Sequence, residues 1–172
     1  MAELRQRQAR AADEAADDHL VETVRIEAGI VVAGTGSNDT RVAVSTAKDA
    51  VAWGADAVLS LAPAYNKPPQ DALVAHFAAV ADGCGAPVVA YNVPGRVGVN
   101  IEAATQVQLA KAGIAGVKEA SGNLAQQMIV LRDRPDGFAV LSGDDSFILA
   151  LLALSKAGVA DRSAPLGHYT LL

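Results

Sequence analysis

Short aliphatic runs alternate with helical patterns through the middle of the chain. The runs begin near Ile30, Ala57, Pro87, Ile114 and Phe138. They recur every ~24 to 30 residues, the length of a strand plus a crossover helix. Between the runs, apolar residues share one face at helical spacing. Val44, Ala47 and Val51 predict a helix that Asp39 or Thr40 caps and Gly54 ends. Leu73, Phe77 and Val80 predict a second over Gln70 to Asp82, closed by Gly83. Ala103, Val107 and Ala110 mark a third, closed by Gly113. A fourth lies around Leu124 to Arg132, and a fifth runs from Ser146 to Lys156, closed by Gly158.

Alternating strands and helices of this kind give an α/β fold with a parallel sheet and right-handed crossovers. An open doubly wound sheet and a piece of an eightfold barrel both fit. A full barrel takes about 250 residues, whereas the chain has 172. The expected division is a polar helix or tail over 1–18, an α/β domain over 19–159 and a tail over 160–172.

Composition narrows the class. Hydrophobic residues make up 51% and aromatics 4%, the balance of strands buried on both faces. A net charge of −5 with no Lys/Arg stripe argues against nucleic acid as a partner. One cysteine, Cys84, excludes a disulfide scaffold. The polar start MAELRQRQAR predicts no signal peptide. The apolar run Phe147 to Leu154 is far short of the ~20 residues of a membrane span. A cytoplasmic protein without membrane contact is expected.

In parallel α/β folds, functional groups collect at the C-terminal ends of strands. There the sequence places Gly34 to Asn38, Pro63 to Asn66, Tyr91 and Asn92, Lys118 and Glu119, and Ser142 to Asp145. Lys118 ends the apolar stretch Gly113 to Val117. Loss of hydration there lowers an amine's pKa, and a neutral amine attacks a ketone to form an iminium. The plainer alternatives are an ion pair with an acid such as Asp144, or an edge-strand lysine. Tyr91 ends the neighbouring strand, where a phenol can shuttle protons or simply be tied to a loop. Arg96 follows Pro94-Gly95; its guanidinium is suited to a carboxylate, or it faces solvent.

Other motifs carry less. Gly34-Thr35-Gly36 lacks the third glycine of a dinucleotide loop, since Asp39 stands there. His19, His76 and His168 lie far apart without metal-ligand spacing. Asp144-Asp145 reads as a helix cap. No metal and no cofactor are expected.

Taken together, five ordered segments resemble the dihydrodipicolinate synthase and N-acetylneuraminate lyase family. They are Val32-Ala33-Gly34-Thr35-Gly36-Ser37-Asn38, Pro63-Ala64-Tyr65-Asn66-Lys67-Pro68, Tyr91-Asn92-Val93-Pro94-Gly95-Arg96, Gly116-Val117-Lys118-Glu119-Ala120-Ser121-Gly122 and Leu141-Ser142-Gly143-Asp144-Asp145. The resemblance implies a (β/α)8 TIM barrel, here partial, whose recognisable strands are the third to the seventh. It implies that Lys118 forms the imine with pyruvate and that Tyr91 donates and accepts protons. Tyr65 would extend the proton relay into a neighbouring subunit's site, in a dimer or tetramer. Arg96 and Gly143 would contact substrate. The arginine after Tyr-Asn-Val-Pro-x favours the branch that condenses pyruvate with aspartate semialdehyde, in lysine and diaminopimelate biosynthesis. Asn38 matches an asparagine of the family's lysine-feedback site, although Val42 replaces a glutamate often found there.

The chain also departs from the family. The first two strands are absent, and with them the Gly-Thr-Thr-Gly-Glu loop that holds the pyruvate carboxylate. Asp17-Asp18-His19 resembles the start of the helix before the third strand. The eighth strand breaks off after Gly158-Val159, and Ala64 replaces a tyrosine. Open sheet edges favour association, so poor stability of the lone chain is expected. A non-catalytic remnant or partner of a full-length synthase is one alternative function. Another pyruvate-dependent aldolase, for 2-keto-3-deoxy sugar acids or N-acetylneuraminate, is a second.

Overall fold

Five parallel strands and one antiparallel strand make a single sheet in the computed structural model, which describes residues 22–26 and 29–154. The expectations for 1–18, for Asp17-Asp18-His19 and for the tail over 160–172 lie outside the described residues. The strands are β1 (Glu22–Ile26), β2 (Ile30–Gly34), β3 (Ala57–Leu61), β4 (Val88–Asn92), β5 (Gly116–Glu119) and β6 (Ala139–Ser142), in that spatial order. β2 to β6 pair in parallel. The helices are α1 (Thr40–Ala52), α2 (Gln70–Cys84), α3 (Pro94–Val97), α4 (Ala103–Lys111), α5 (Leu124–Asp133) and α6 (Ile148–Leu154).

β1 was not expected. It pairs antiparallel with β2, Val24 opposite Val32, and lies along the edge that the sequence had left open. Gly29, at φ 79°, sits in the connection, where a left-handed conformation suits glycine.

The helix ends follow local chemistry. The Asp39 side chain accepts from the Arg41 N–H at 2.8 Å and caps α1. Asp144 does the same for Ser146 ahead of the short 3-10 turn Asp145–Phe147 that leads into α6. The expected fifth helix therefore begins as this turn, and its expected end at Lys156 and Gly158 lies outside the described residues. α2 does not stop at Gly83. It runs to Cys84 and closes at Gly85, φ 73°. Gly83 instead lies inside the helix against α1, where an added Cβ would meet Val44 Cγ1 at 2.5 Å.

Strand alternation sorts the sheet into two faces. Val58, Ala90, Val117 and Val140 are buried and join Leu73, Phe77, Val80 and Leu109 in the core. On the opposite face, one row across the sheet reads Leu61, Tyr91, Lys118, Leu141. All four are only half-buried.

Candidate active site

Tyr91 and Lys118 stand opposite each other in the β4–β5 register, near the C-terminal ends of both strands. Lys118 Nζ lies 4.6 Å from the centre of the Tyr91 ring. Such an attraction is worth about 0.5–1 kcal/mol at a partly exposed site. The expected alternative of an ion pair with Asp144 is not formed. Among the described residues the ion pairs are Arg41–Asp39 and Arg132–Asp133, both on the surface. Nor is Lys118 fully withdrawn from water, because the row it occupies is half-exposed.

Gly143 follows β6 and donates its N–H to the Glu119 carbonyl at 2.8 Å. A Cβ there would meet Ala120 Cβ at 2.7 Å, so the β6 end lies tight against the β5 end. Arg96 sits in α3, the single turn after β4, and is exposed. The expected loop is thus a helical turn, started by Pro94 at a position that needs no N–H. Gly143 and Arg96 therefore lie on the segments that follow the two strands flanking β5.

Tyr65 and Asn38 lie in the loops after β3 and β2. Tyr65, in the loop after β3, is 86% exposed and holds φ 67°. Its N–H donates to the Val97 carbonyl at 3.1 Å, which fixes the loop on α3. Asn38 is exposed after β2, and its carbonyl accepts from Asn66 Nδ2 at 3.0 Å. β3 and β4 stand between β2 and the lysine's strand.

One polar cluster was not anticipated. Glu119 is 1% exposed, with no cation in contact among the described residues. Its carboxyl oxygens accept from Gln106 Nε2 at 2.6 Å, Ser121 N–H at 2.8 Å, Asn92 Nδ2 at 2.9 Å and Gln126 Nε2 at 3.3 Å. A buried carboxyl is tolerable only when donors replace its water. The sequence signal was an acid ending an aliphatic strand, one residue after Lys118 and so on the opposite face. His76 is also buried, with Nδ1 sharing a 2.8 Å hydrogen bond with the Thr40 hydroxyl. Burial holds its pKa below the usual value. Among the described residues no group of three or more His, Cys, Asp or Glu is placed to hold a metal ion. No helix among them is long and apolar enough to cross a membrane.

Known proteins match this chain in sequence and in fold. The family model of the dihydrodipicolinate synthetase family matches residues 14–165. The chain belongs to this family. The 4-hydroxy-tetrahydrodipicolinate synthase of Chlorobium phaeobacteroides (strain BS1) is 48% identical over 152 residues, 86% of this chain and 51% of that protein. The Listeria monocytogenes synthase is 52% identical over 131 residues, 75% of this chain and 45% of its own. The chain thus spans about half the length of these family members. Among solved structures, the Cyanidioschyzon merolae enzyme with lysine bound superposes with a TM-score of 0.69 at 43% identity, over 72% of this chain and 43% of that one. The Acinetobacter baumannii enzyme complexed with pyruvate gives 0.71 at 34% identity, over 88% and 50%. The sheet is therefore part of the family's TIM barrel.

Proposed function

We propose that Lys118 forms a Schiff base with pyruvate and that the chain serves the condensation of pyruvate with aspartate semialdehyde to 4-hydroxy-tetrahydrodipicolinate. The observation that carries this reading is the 4.6 Å approach of the Lys118 amine to the Tyr91 ring at neighbouring strand ends. Membership of a family with a pyruvate-bound structure supports it.

The chemistry balances without a cofactor. The amine attacks the ketone carbon, a C–N bond forms, and the ketone oxygen leaves as water. One of that water's protons comes from the amine and one from an acid, the role assigned to Tyr91; the product is an iminium. A methyl proton then passes to the Tyr91 phenolate and leaves an enamine; its carbon attacks the aldehyde, whose oxygen takes that proton back. The amine of the aldehyde substrate next adds to the iminium carbon, closing the ring as the bond to Lys118 breaks and the lysine amine leaves. Arg96 would grip the carboxylate of the aldehyde substrate, with Gly143 shaping the wall beside β5. In this reading Tyr65, standing in solvent on its own chain, completes the relay of a second copy in a dimer. Asn38 would contribute to a separate effector site for lysine, a reading supported by the lysine bound in the Cyanidioschyzon merolae relative and opposed by Val42 in place of the usual glutamate.

The test is trapping. Pyruvate plus borohydride should leave a reduced adduct on the Lys118 peptide, read by mass spectrometry; an unmodified Lys118 peptide defeats the reading. The 172 residues hold no Gly-Thr-Thr-Gly-Glu motif, so trapping is a fairer assay than turnover. Activity with 2-keto-3-deoxy sugar acids or N-acetylneuraminate, and none with aspartate semialdehyde, would reassign the substrate.

The half-exposed row of Leu61, Tyr91, Lys118 and Leu141 favours a second reading, a non-catalytic partner of a longer synthase. Co-purification with such a synthase, and no trapping by the chain alone, would select it.

A further inference from the structure

We infer that Glu119 is a positioning residue that holds Tyr91 and Lys118 in mutual register from the opposite face of the sheet. The inference rests on the reading of Lys118 as the imine-forming amine.

The argument starts from the ladder. Tyr91 pairs with Lys118 and Asn92 with Glu119. The ladder continues only to the Ala120 N–H, which donates to the Asn92 carbonyl at 2.8 Å. Beyond that bond, backbone pairing no longer fixes the distance between the two strand ends. The side chains of Asn92 and Glu119 take over. Asn92 Nδ2 reaches both carboxyl oxygens, at 3.1 and 2.9 Å. Asn92 Oδ1 accepts the Ile101 N–H at 2.9 Å, anchoring the segment before α4. Gln106 of α4 and Gln126 of α5 close the ring from the helix layer. Gln106 and Asn92 are fully buried and Gln126 is 8% exposed.

The carboxyl oxygens accept from the N–H groups of Asn92, Gln106, Ser121 and Gln126. Strand alternation sends Tyr91 and Lys118 to the other face. The knot therefore touches neither reacting group and acts on their spacing through one peptide unit on each strand. A purely structural knot would set stability alone. A positioning knot also sets the rate at which the amine reacts.

The experiment compares the native chain with Glu119→Gln and with the exchanged pair Glu119→Gln, Gln106→Glu. Borohydride trapping is followed against pyruvate concentration at a temperature where each protein is folded, and melting midpoints are recorded alongside. E119Q should lower the maximal trapping rate about ten- to a hundred-fold, as small misplacements of reacting groups do, with little change in half-saturation. The exchanged pair returns the carboxyl to the cluster and should recover most of the rate. Folded E119Q trapping at the native rate would overturn the inference while leaving the role of Lys118 intact. So would an exchanged pair that regains the melting midpoint and not the rate. Should neither variant fold, Gln126→Met removes the carboxyl's longest bond together with the bonds of Gln126 to Asn100 and to the Ile101 carbonyl, and an unchanged rate in it overturns the inference. A native chain that never traps pyruvate overturns both readings together.

Discussion

Lys118 Nζ lies 4.6 Å from the centre of the Tyr91 ring, across the β4–β5 pairing. Two parts of the tyrosine can matter here, the ring face and the hydroxyl, and substitution separates them. Tyr91→Phe keeps the ring and removes the proton carrier. Imine trapping should fall by about 10²–10⁴, the usual range for a general acid, with the fold unchanged. Tyr91→Ala should fall at least as far. Lys118→Arg should abolish trapping, because a guanidinium cannot act as the nucleophile. Equal trapping rates for Tyr91→Phe and the native chain would remove the hydroxyl from the chemistry.

Gly83 and Val44 give a test of packing against propensity. In an exposed helix, glycine to alanine gains about 1 kcal/mol. Here the new Cβ would approach Val44 Cγ1 to 2.5 Å, a distance the two helices do not tolerate. Gly83→Ala should therefore destabilise, by roughly 1–3 kcal/mol as overpacked cores do. Val44→Ala in the same chain should recover part of the loss. Denaturant melts of the two variants check it, and a Gly83→Ala chain more stable than the native one would show that α1 yields freely.

These residues show what the sequence could and could not carry. Parallel strands are legible because burial on both faces makes them aliphatic runs with polar residues where they end, which is how Tyr91 and Lys118 came into view. Glu119 was visible as one of those ends, but its partners were not. Gln106 and Gln126 sit at helix positions where an amide ordinarily faces water, and only the folded sheet brings them to the carboxyl. The alternation in Glu22-Thr23-Val24-Arg25-Ile26 is the period of an edge strand, masked by its charges. Gly83 reads as a helix stop by type, since nothing along α2 reveals Val44 on another helix.

His76 makes stability depend on pH. Its folded pKa is depressed by burial, while the unfolded value is about 6.5. The unfolded chain thus binds the proton more readily. The stabilisation is complete above about pH 6.5 and is lost as pH falls from there through the folded value. Melting midpoints between about pH 5 and 8 should drop on the acid side. Replacing the imidazole with a group that does not titrate, as in His76→Gln, should flatten that part of the profile. An unaltered acid-side slope in the variant would assign the drop to other groups.

The open face of the sheet predicts the behaviour of the isolated chain. Leu61, Tyr91, Lys118 and Leu141 form a half-exposed row, opposite a row that is fully buried. Among the described residues β6 pairs only with β5, so its outer edge has no strand against it. Apolar surface loses free energy on burial at about 25 cal/mol per Å², and an unpaired edge supplies backbone donors and acceptors to a neighbour. Both effects push in the same direction. Sedimentation velocity should therefore find species larger than a monomer, and thermal unfolding should be broad. Leu141→Thr puts a β-branched side chain suited to a strand in place of leucine and removes apolar surface from the row, so it should shift the distribution toward monomer. A monodisperse native monomer with a sharp cooperative melt would refute association through this face.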